Sequence, residues 1–179
     1  MKKAFIISST KRIGGNSDIL AKKFRDGALD AGNKVSFISI KDLKMEFCKG
    51  CLACQKLHRC IINDDINDLL EKIKESDVIV FATPIYYYSV SGQLKTFLDR
   101  MNPLYNTDYS FRDIYFIASA FDSNDEAFNV AIKDIEGFAS CFEKSSLKGT
   151  VLGKGLGDAK DAEKHKDLLD KAYDMGKNI

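Results

Sequence analysis

Apolar residues along the chain fall into short dense runs separated by longer stretches with helical spacing. The runs are KAFIIS (Lys3–Ser8), KVSFISI (Lys34–Ile40), DVIVFAT (Asp77–Thr83) and DIYFIAS (Asp113–Ser119), with a weaker fifth at LKGTVLG (Leu147–Gly153). Their near-continuous valine, isoleucine and phenylalanine content predicts strands covered on both faces, because a strand with one wet face would alternate apolar with polar. Between them the period lengthens. Ile19, Leu20, Phe24 and Ala28 share one helical face after a cap at Ser17, and Gly32 marks a stop. Ile66, Leu69, Leu70 and Ile73 repeat the pattern after Asp64 or Asp65. Leu94, Phe97 and Leu98, then Phe128, Ala131, Ile132, Ile135, Ala139 and Phe142, supply two more helices. A closing helix from about Ala162 carries Leu168, Leu169, Ala172 and Met175 inward.

Strand and helix in alternation, joined by right-handed crossovers, predict an α/β doubly wound fold with a five-stranded parallel sheet. In such sheets the functional loops gather at the carboxyl ends of the strands. No composition shift or linker divides residues 1–179, so we expect one domain, with a cysteine-rich loop at about 42–63. The polar stretch Asn102–Arg112 is long enough to cap a ligand site.

Composition narrows the partners. Twenty-seven basic residues against 26 acidic ones leave a net charge of +1, giving no global field for nucleic acid or anionic lipid. The apolar run Ala4–Ile7 is too short for a secretion signal or a membrane span. Four of five cysteines crowd into thirteen residues, unlike the spread framework of a small secreted protein, so the expected compartment is the cytoplasm.

Three loops carry candidate chemistry. After the first strand, SSTKRIGGNS offers small residues and glycines opening a helix, with Ser9, Asn16 and Ser17 as donors and Lys11 or Arg12 as charge beside an anion. The run is neither G-x-G-x-x-G nor G-x-x-x-x-G-K-[ST], so a monophosphate suits it better than a dinucleotide or a nucleoside triphosphate; an ordinary glycine and serine loop remains the alternative. After the third strand, TPIYYYSVSGQLKTFLDR places Tyr86, Tyr87 and Tyr88 where a flat heteroaromatic ring could lie, or where a subunit interface could form. After the fourth, Ser119 and the Ala120 amide face the same crevice, while Asp122 suits a helix cap. No Ser-His-Asp arrangement or other catalytic set stands out, and His58 and His165 read as surface residues.

The fourth feature is CKGCLACQKLHRC, with C-x2-C-x2-C-x5-C spacing. Cys48, Cys51, Cys54 and Cys60 could ligate one [4Fe-4S] cluster, since each short step turns the chain back around a small object. Zinc, which favours two separated C-x2-C knuckles, and free or reversibly oxidised thiols are the other readings. Cys141, on a helical pattern beside Phe142, reads as a core or interface residue.

The segments SSTKRIGGNS, CKGCLACQKLHRCIINDD and TPIYYYSVSGQLKTFLDR, with GLGDAK before the last helix, together resemble the flavodoxin-like family of NAD(P)H-dependent FMN reductases, in particular its iron-sulfur-flavoprotein-like branch. The resemblance maps Ser9, Lys11, Gly15, Asn16 and Ser17 onto the FMN phosphate site. It maps Pro84, Ile85, Tyr86, Tyr87 and Tyr88 onto the ring loop, Tyr87 standing where tryptophan is common. This chain has Ser8 and Thr10 where the family often has glycine and proline, and Lys11 where it has arginine, which keeps the charge but not the planar fork. The resemblance further implies strand order 2-1-3-4-5, a homodimer or homotetramer, NAD(P)H as electron donor, and a small-molecule acceptor or redox protein as partner. An electron carrier relaying through FMN and a cluster, or a non-redox phosphate-binding domain, are the alternatives.

Overall fold

The computed structural model describes residues 1–179. Five parallel strands form its sheet: β1 (Lys3–Ser8), β2 (Lys34–Ser39), β3 (Val78–Tyr86), β5 (Asp113–Ser119) and β6 (Ser146–Gly153), in the order β2-β1-β3-β5-β6. A two-residue strand, β4 (Ser89–Val90), pairs antiparallel with the end of β3 and lies off that path. Leaving β4 aside, this is the expected flavodoxin-like order.

The sheet's alternation explains why its strands read as continuous apolar runs. Phe5, Ile7, Ile79, Phe81, Ile114, Phe116 and Ala118 point to one face, where α3 (Ile66–Lys74), α4 (Gly92–Arg100) and α5 (Asn129–Ser140) cover them. Ala4, Ile6, Val78, Val80, Ala82 and Ile117 point to the other, under α1 (Asn16–Asp30) and α6 (Lys166–Lys177). Both faces of the central strands β1, β3 and β5 are largely dry, so their runs carry few polar residues. Helices α1 and α6 touch backbone to backbone: a Cβ added at Gly176 would lie 1.9 Å from the Phe24 carbonyl oxygen, and one at Gly27 would lie 2.0 Å from that of Tyr173. One glycine on each helix, facing the other helix's backbone, sets this spacing.

Three boundaries differ from expectation. Strand three does not stop at Thr83; it continues through Pro84 to Tyr86, where it turns back as β4. Proline is admitted because pairing with β1 ends at Ala82, so the missing N–H interrupts no bond on that side. Helix α1 is capped by Gly15 rather than Ser17, which lies inside its first turn. The closing helix begins at Lys166, after a 3-10 turn over Asp161–Lys164. No helix is long and apolar enough to cross a membrane.

Candidate functional site

The carboxyl ends of β1, β3 and β5 bring the first three candidate loops to one edge of the sheet. In the β1 loop, Gly15 caps α1 with no side-chain hydrogen bond. The helix therefore presents its first turn, and the positive end of its dipole, without a resident acceptor. Ser17 lies there fully buried, and its hydroxyl has no hydrogen-bond partner. A buried hydroxyl without a partner is costly unless something else satisfies it. Gly15 itself leaves no room for a side chain, since a Cβ would meet Thr10 Oγ1 at 2.6 Å.

The other residues expected in this seat take different places. Asn16 is turned inward: its Nδ2 donates to the carbonyls of Leu156 and Asp158 at 3.2 and 2.9 Å, and its Oδ1 accepts from the Ala162 amide at 3.0 Å. Its amide is thus a strut binding the loop after β6 to the β1 loop. Arg12 donates to the Gly157 carbonyl at 2.7 Å, and the Lys160 amide to that of Gly14 at 2.8 Å, which completes the attachment. Ser9 is also buried, with its hydroxyl receiving that of Ser91 at 2.9 Å. Lys11 is exposed and lines a hollow of about 310 Å³ with Leu43, Met45, Gly92 and Gln93. Of the seat's two cations it is the one not tied to a neighbouring carbonyl.

The ring loop is a tight hairpin. Tyr86 pairs with Ser89, and the two residues between them, Tyr87 and Tyr88, both have positive φ, 49° and 65°. That backbone ordinarily belongs to Asn-Gly, because a side chain in the left-handed region crowds its own carbonyl. Tyr87 is fully exposed and Tyr86 and Tyr88 about half so. Tyr87, Tyr88 and Ile85 line a cavity of about 730 Å³ closed opposite by Ala120, Phe121 and Gly155. Such a volume lies within the range of about 300–1,000 Å³ common to small-molecule sites. Pro84 and Ser119 sit side by side as the last rung between β3 and β5.

Two details were not anticipated. The Ala120 amide, expected to meet a ligand, donates instead to the Gly153 carbonyl at 2.9 Å, while Phe121, passed over in the sequence, is 83% exposed at the cavity wall. Its ring rests where Gly157 has no side chain, 2.5 Å from the Cβ position. The same strap that Asn16 and Arg12 hold therefore also backs Phe121 at the ring cavity, linking anion seat and aromatic wall through the loop after β6. Asp122 is not the helix cap expected of it: it accepts the Asn124 amide at 2.8 Å in the turn before, and Asn124 caps the 3-10 helix Asp125–Phe128 by accepting the Glu126 amide at 3.1 Å.

A larger hollow, about 980 Å³, opens elsewhere, between the cysteine loop, α4 and α5. It contains neither the amino terminus of α1 nor the hairpin tyrosines, so the smaller cavity beside them is the better ligand site. The hollow is bordered by Cys48 and by Cys141, which is exposed and so not in the core, the first of the two places the sequence suggested for it.

The four loop cysteines are not assembled. Cys48 and Cys51 are exposed. Cys54 opens a single helical turn, α2 (Cys54–Leu57), where its sulfur accepts the Asn102 side-chain amide at 3.1 Å. Cys60 sits beside Arg100, its backbone bonded in both directions to Asn67 at 3.1 Å. No group of three or more cysteine, histidine or carboxylate residues is gathered closely enough to hold a metal ion. The ligand set expected from spacing is not gathered in this arrangement: left-handed turns at Gly50, Leu52 and His58 redirect the chain between successive sulfurs. As placed, the thiols do not fit a [4Fe-4S] cluster. His58 and His165 are both exposed, as expected.

Comparison with known proteins agrees with this geometry. Residues 2–133 match the family described as NADPH-dependent FMN reductase. YwqN of Bacillus subtilis, whose name describes an NAD(P)H-dependent FMN-containing oxidoreductase, is 32% identical over 170 residues, 86% of this chain and 85% of that one. An iron-sulfur flavoprotein of Methanocaldococcus jannaschii is 37% identical over 98 residues, 55% of this chain. The chain spans about half the length of the iron-sulfur flavoproteins it matches, 51% for that protein. Among solved structures, the Trp repressor binding protein from Bacillus subtilis superposes with a TM-score of 0.70 at 26% identity, covering 97% of both chains. An azoreductase from Bacillus anthracis has a TM-score of 0.76 over the whole of both chains, at 15% identity that speaks for the fold alone. The match over most of the chain and the likeness to YwqN place the protein in the NADPH-dependent FMN reductase family.

Proposed function

We propose that the chain binds FMN in the crevice between the β1 loop, the tyrosine hairpin and Phe121, and works as an NAD(P)H-dependent oxidoreductase. The observation that carries this reading is the pairing, at one sheet edge, of an uncapped helix start holding a partnerless buried Ser17 hydroxyl with an exposed tyrosine hairpin. One end suits a phosphate and the other a flat ring. When bound, FMN would supply the hydride and electron chemistry, accepting from NAD(P)H and delivering to a quinone, azo or nitro compound, a free flavin or a redox protein.

The chain's own residues bind and orient. Ser17, Lys11 and the amides around Gly15 hold the phosphate, while Asn16 and Ser9 act behind them by fixing loop and strand. Ile85, Tyr86, Tyr87 and Tyr88 hold the ring against Phe121, with Pro84 and Ser119 beneath. No side chain is required as nucleophile or proton donor, consistent with the absence of a catalytic set. The expected form is a cytoplasmic homodimer or homotetramer, since three exposed tyrosines at one edge leave apolar surface for a second subunit to cover.

The test is anaerobic purification, quantification of FMN, iron, acid-labile sulfide and zinc, and mixing with NADPH or NADH. Near-stoichiometric FMN bleached by nicotinamide is the expected result. Failure of the flavin-free protein to bind added FMN would refute the flavin site. Reduction only by a ferredoxin-like protein, with iron and sulfide present, would select the electron carrier instead.

A further inference from the structure

The tyrosine hairpin is poorly equipped to hold its own shape. Only two residue pairs connect its arms, Ile85 with Val90 and Tyr86 with Ser89, and both turn residues are in the left-handed region without being glycine. Two-stranded hairpins of this size are marginal in water, and left-handed backbone persists at side-chain-bearing residues only where surroundings enforce it. One enforcing contact comes from α5. Ser89 Oγ donates to Asp134 Oδ2 at 2.6 Å, and the Val90 amide approaches the same oxygen at 3.5 Å.

Asp134 is half-buried, and no lysine or arginine lies within ion-pair distance of it. A carboxylate in that position without a cation is held by the hairpin donors alone. Its backbone is rigid: Ala131 and Ile135 on either side of it are fully buried under the sheet. The contact joins the returning arm of the hairpin to a fixed helix, while Ser91, two residues on, is tied by its amide to Thr83 Oγ1 at 3.1 Å and by its hydroxyl to Ser9. Between these anchors the chain has little freedom left except at the two tyrosines.

We propose that Asp134 is a positioning residue for the flavin-ring loop, fixing through Ser89 the left-handed turn that presents Tyr87 and Tyr88 to the crevice. The inference rests on the flavin reading above, but its core, a carboxylate on α5 that sets the hairpin, is testable without flavin. It predicts that the electronic environment of the bound ring, and not only its affinity, depends on a side chain that does not touch it.

The experiment compares wild type with Asp134→Ala, Asp134→Asn and Ser89→Ala. In flavin-free protein, amide exchange at Tyr88–Val90 should quicken roughly tenfold in both alanine variants, the scale of one charge-assisted hydrogen bond, with β1 and α1 unaffected. After FMN loading, the alanine variants should bind about tenfold more weakly and show a shifted flavin absorption band and midpoint potential. Asp134→Asn, which keeps an acceptor oxygen, should recover most of each change. Joining Asp134→Ala with Ser89→Ala should add nothing beyond either alone, as expected for one shared bond. Unchanged exchange at the hairpin would overturn the proposal whatever the flavin does. Faster exchange with unaltered affinity, absorption and potential would overturn it too, leaving Asp134 a fold contact. If wild type binds no FMN, the flavin reading fails, and the exchange measurement alone then decides whether Asp134 sets the turn. Ser89→Ala removes the bond without altering α5, which keeps the test open should Asp134→Ala fold poorly.

Discussion

Arg100 and Asp64 form a two-pronged ion pair sealed from solvent, with Nη1 to Oδ2 at 2.6 Å and Nη2 to Oδ1 at 2.8 Å. Their side chains are 0% and 4% exposed. Asp64 also accepts the Glu46 amide at 2.9 Å, while Arg100 donates to the Glu46 carbonyl at 2.7 Å. Residues 46 and 64 stand just outside the first and last cysteines of the loop. One arginine at the end of α4 thereby clips both ends of the cysteine segment to the core.

Arg100→Met leaves the Asp64 carboxylate buried without its cation, a change that costs about 3–5 kcal/mol in comparable pairs. Global stability should fall by that order in urea unfolding. Trypsin should nick the loop at Lys49, Lys56 or Arg59 long before the sheet is attacked. Asp64→Leu added to Arg100→Met should return part of the stability without restoring loop protection. A loop that stays protected in the single variant would show that other contacts hold it.

The same pair sets a pH dependence. Burial pushes the Asp64 carboxyl up, but hydrogen bonds from Arg100 and the Glu46 amide, with the arginine's charge, outweigh it and hold the group below its ordinary 3.8. The unfolded chain therefore binds the proton first as pH falls. The stabilisation is complete above the unfolded value and is lost as pH drops through the folded one. As pH falls below the ordinary 3.8, Asp64→Asn should show a shallower loss of urea midpoint than wild type. Parallel curves would place the acid sensitivity in other carboxylates.

Ser17→Ala separates the two meanings of a buried, partnerless hydroxyl. Removing it from flavin-free protein removes a desolvation cost of about 1–3 kcal/mol, so the thermal midpoint should hold or rise. Affinity for FMN should fall, and that for riboflavin, which lacks the phosphate, should not. Lys11→Ala should likewise weaken FMN by about 1.5–3 kcal/mol if a charge-assisted bond is well formed, with a smaller salt dependence than wild type. Equal loss for both flavins would move Ser17 and Lys11 away from the phosphate.

These tests bear on positions the sequence disclosed unequally. The strands were legible because residues such as Phe5 and Ile6 face opposite dry layers, which removes polar alternation over a whole run. The helical faces were legible for the same reason, as with Leu69, Leu70 and Ile73. The clip at Arg100 was not, since nothing local marks an arginine 36 residues from its carboxylate as buried. Asn16 was seen as polar and near the site, but its partners lie 140 to 146 residues away, so its direction could not be read from spacing. Cysteine spacing stated what could converge; the turns at Gly50, Leu52 and His58, which set where the sulfurs lie, left no mark in the spacing. The hairpin carried no Asn-Gly signal, because the turn is occupied by side chains that its backbone disfavours.

That conflict yields the last prediction. Replacing Tyr87 with Asn and Tyr88 with Gly installs the residues this turn geometry favours, while Ser89, Asp134 and the β3–β4 pairs remain. Each left-handed tyrosine costs roughly 1–2 kcal/mol relative to a residue at ease there. The weak bond from the Tyr88 hydroxyl to Asp122, at 3.4 Å and exposed, is the only hydrogen bond lost. Relief should therefore exceed loss, and since about 1 kcal/mol corresponds to a shift of about 2–4 °C for a chain of this size, the flavin-free melting temperature should rise by several degrees. FMN affinity should move the other way, because the rings facing Phe121 are gone, and the flavin absorption band should shift toward that of free FMN. A residue pair kept against its own backbone preference then has its reason in the ligand. A lower melting temperature would mean the tyrosines stabilise the turn by packing, and unchanged FMN binding with a higher one would remove them from the ring site.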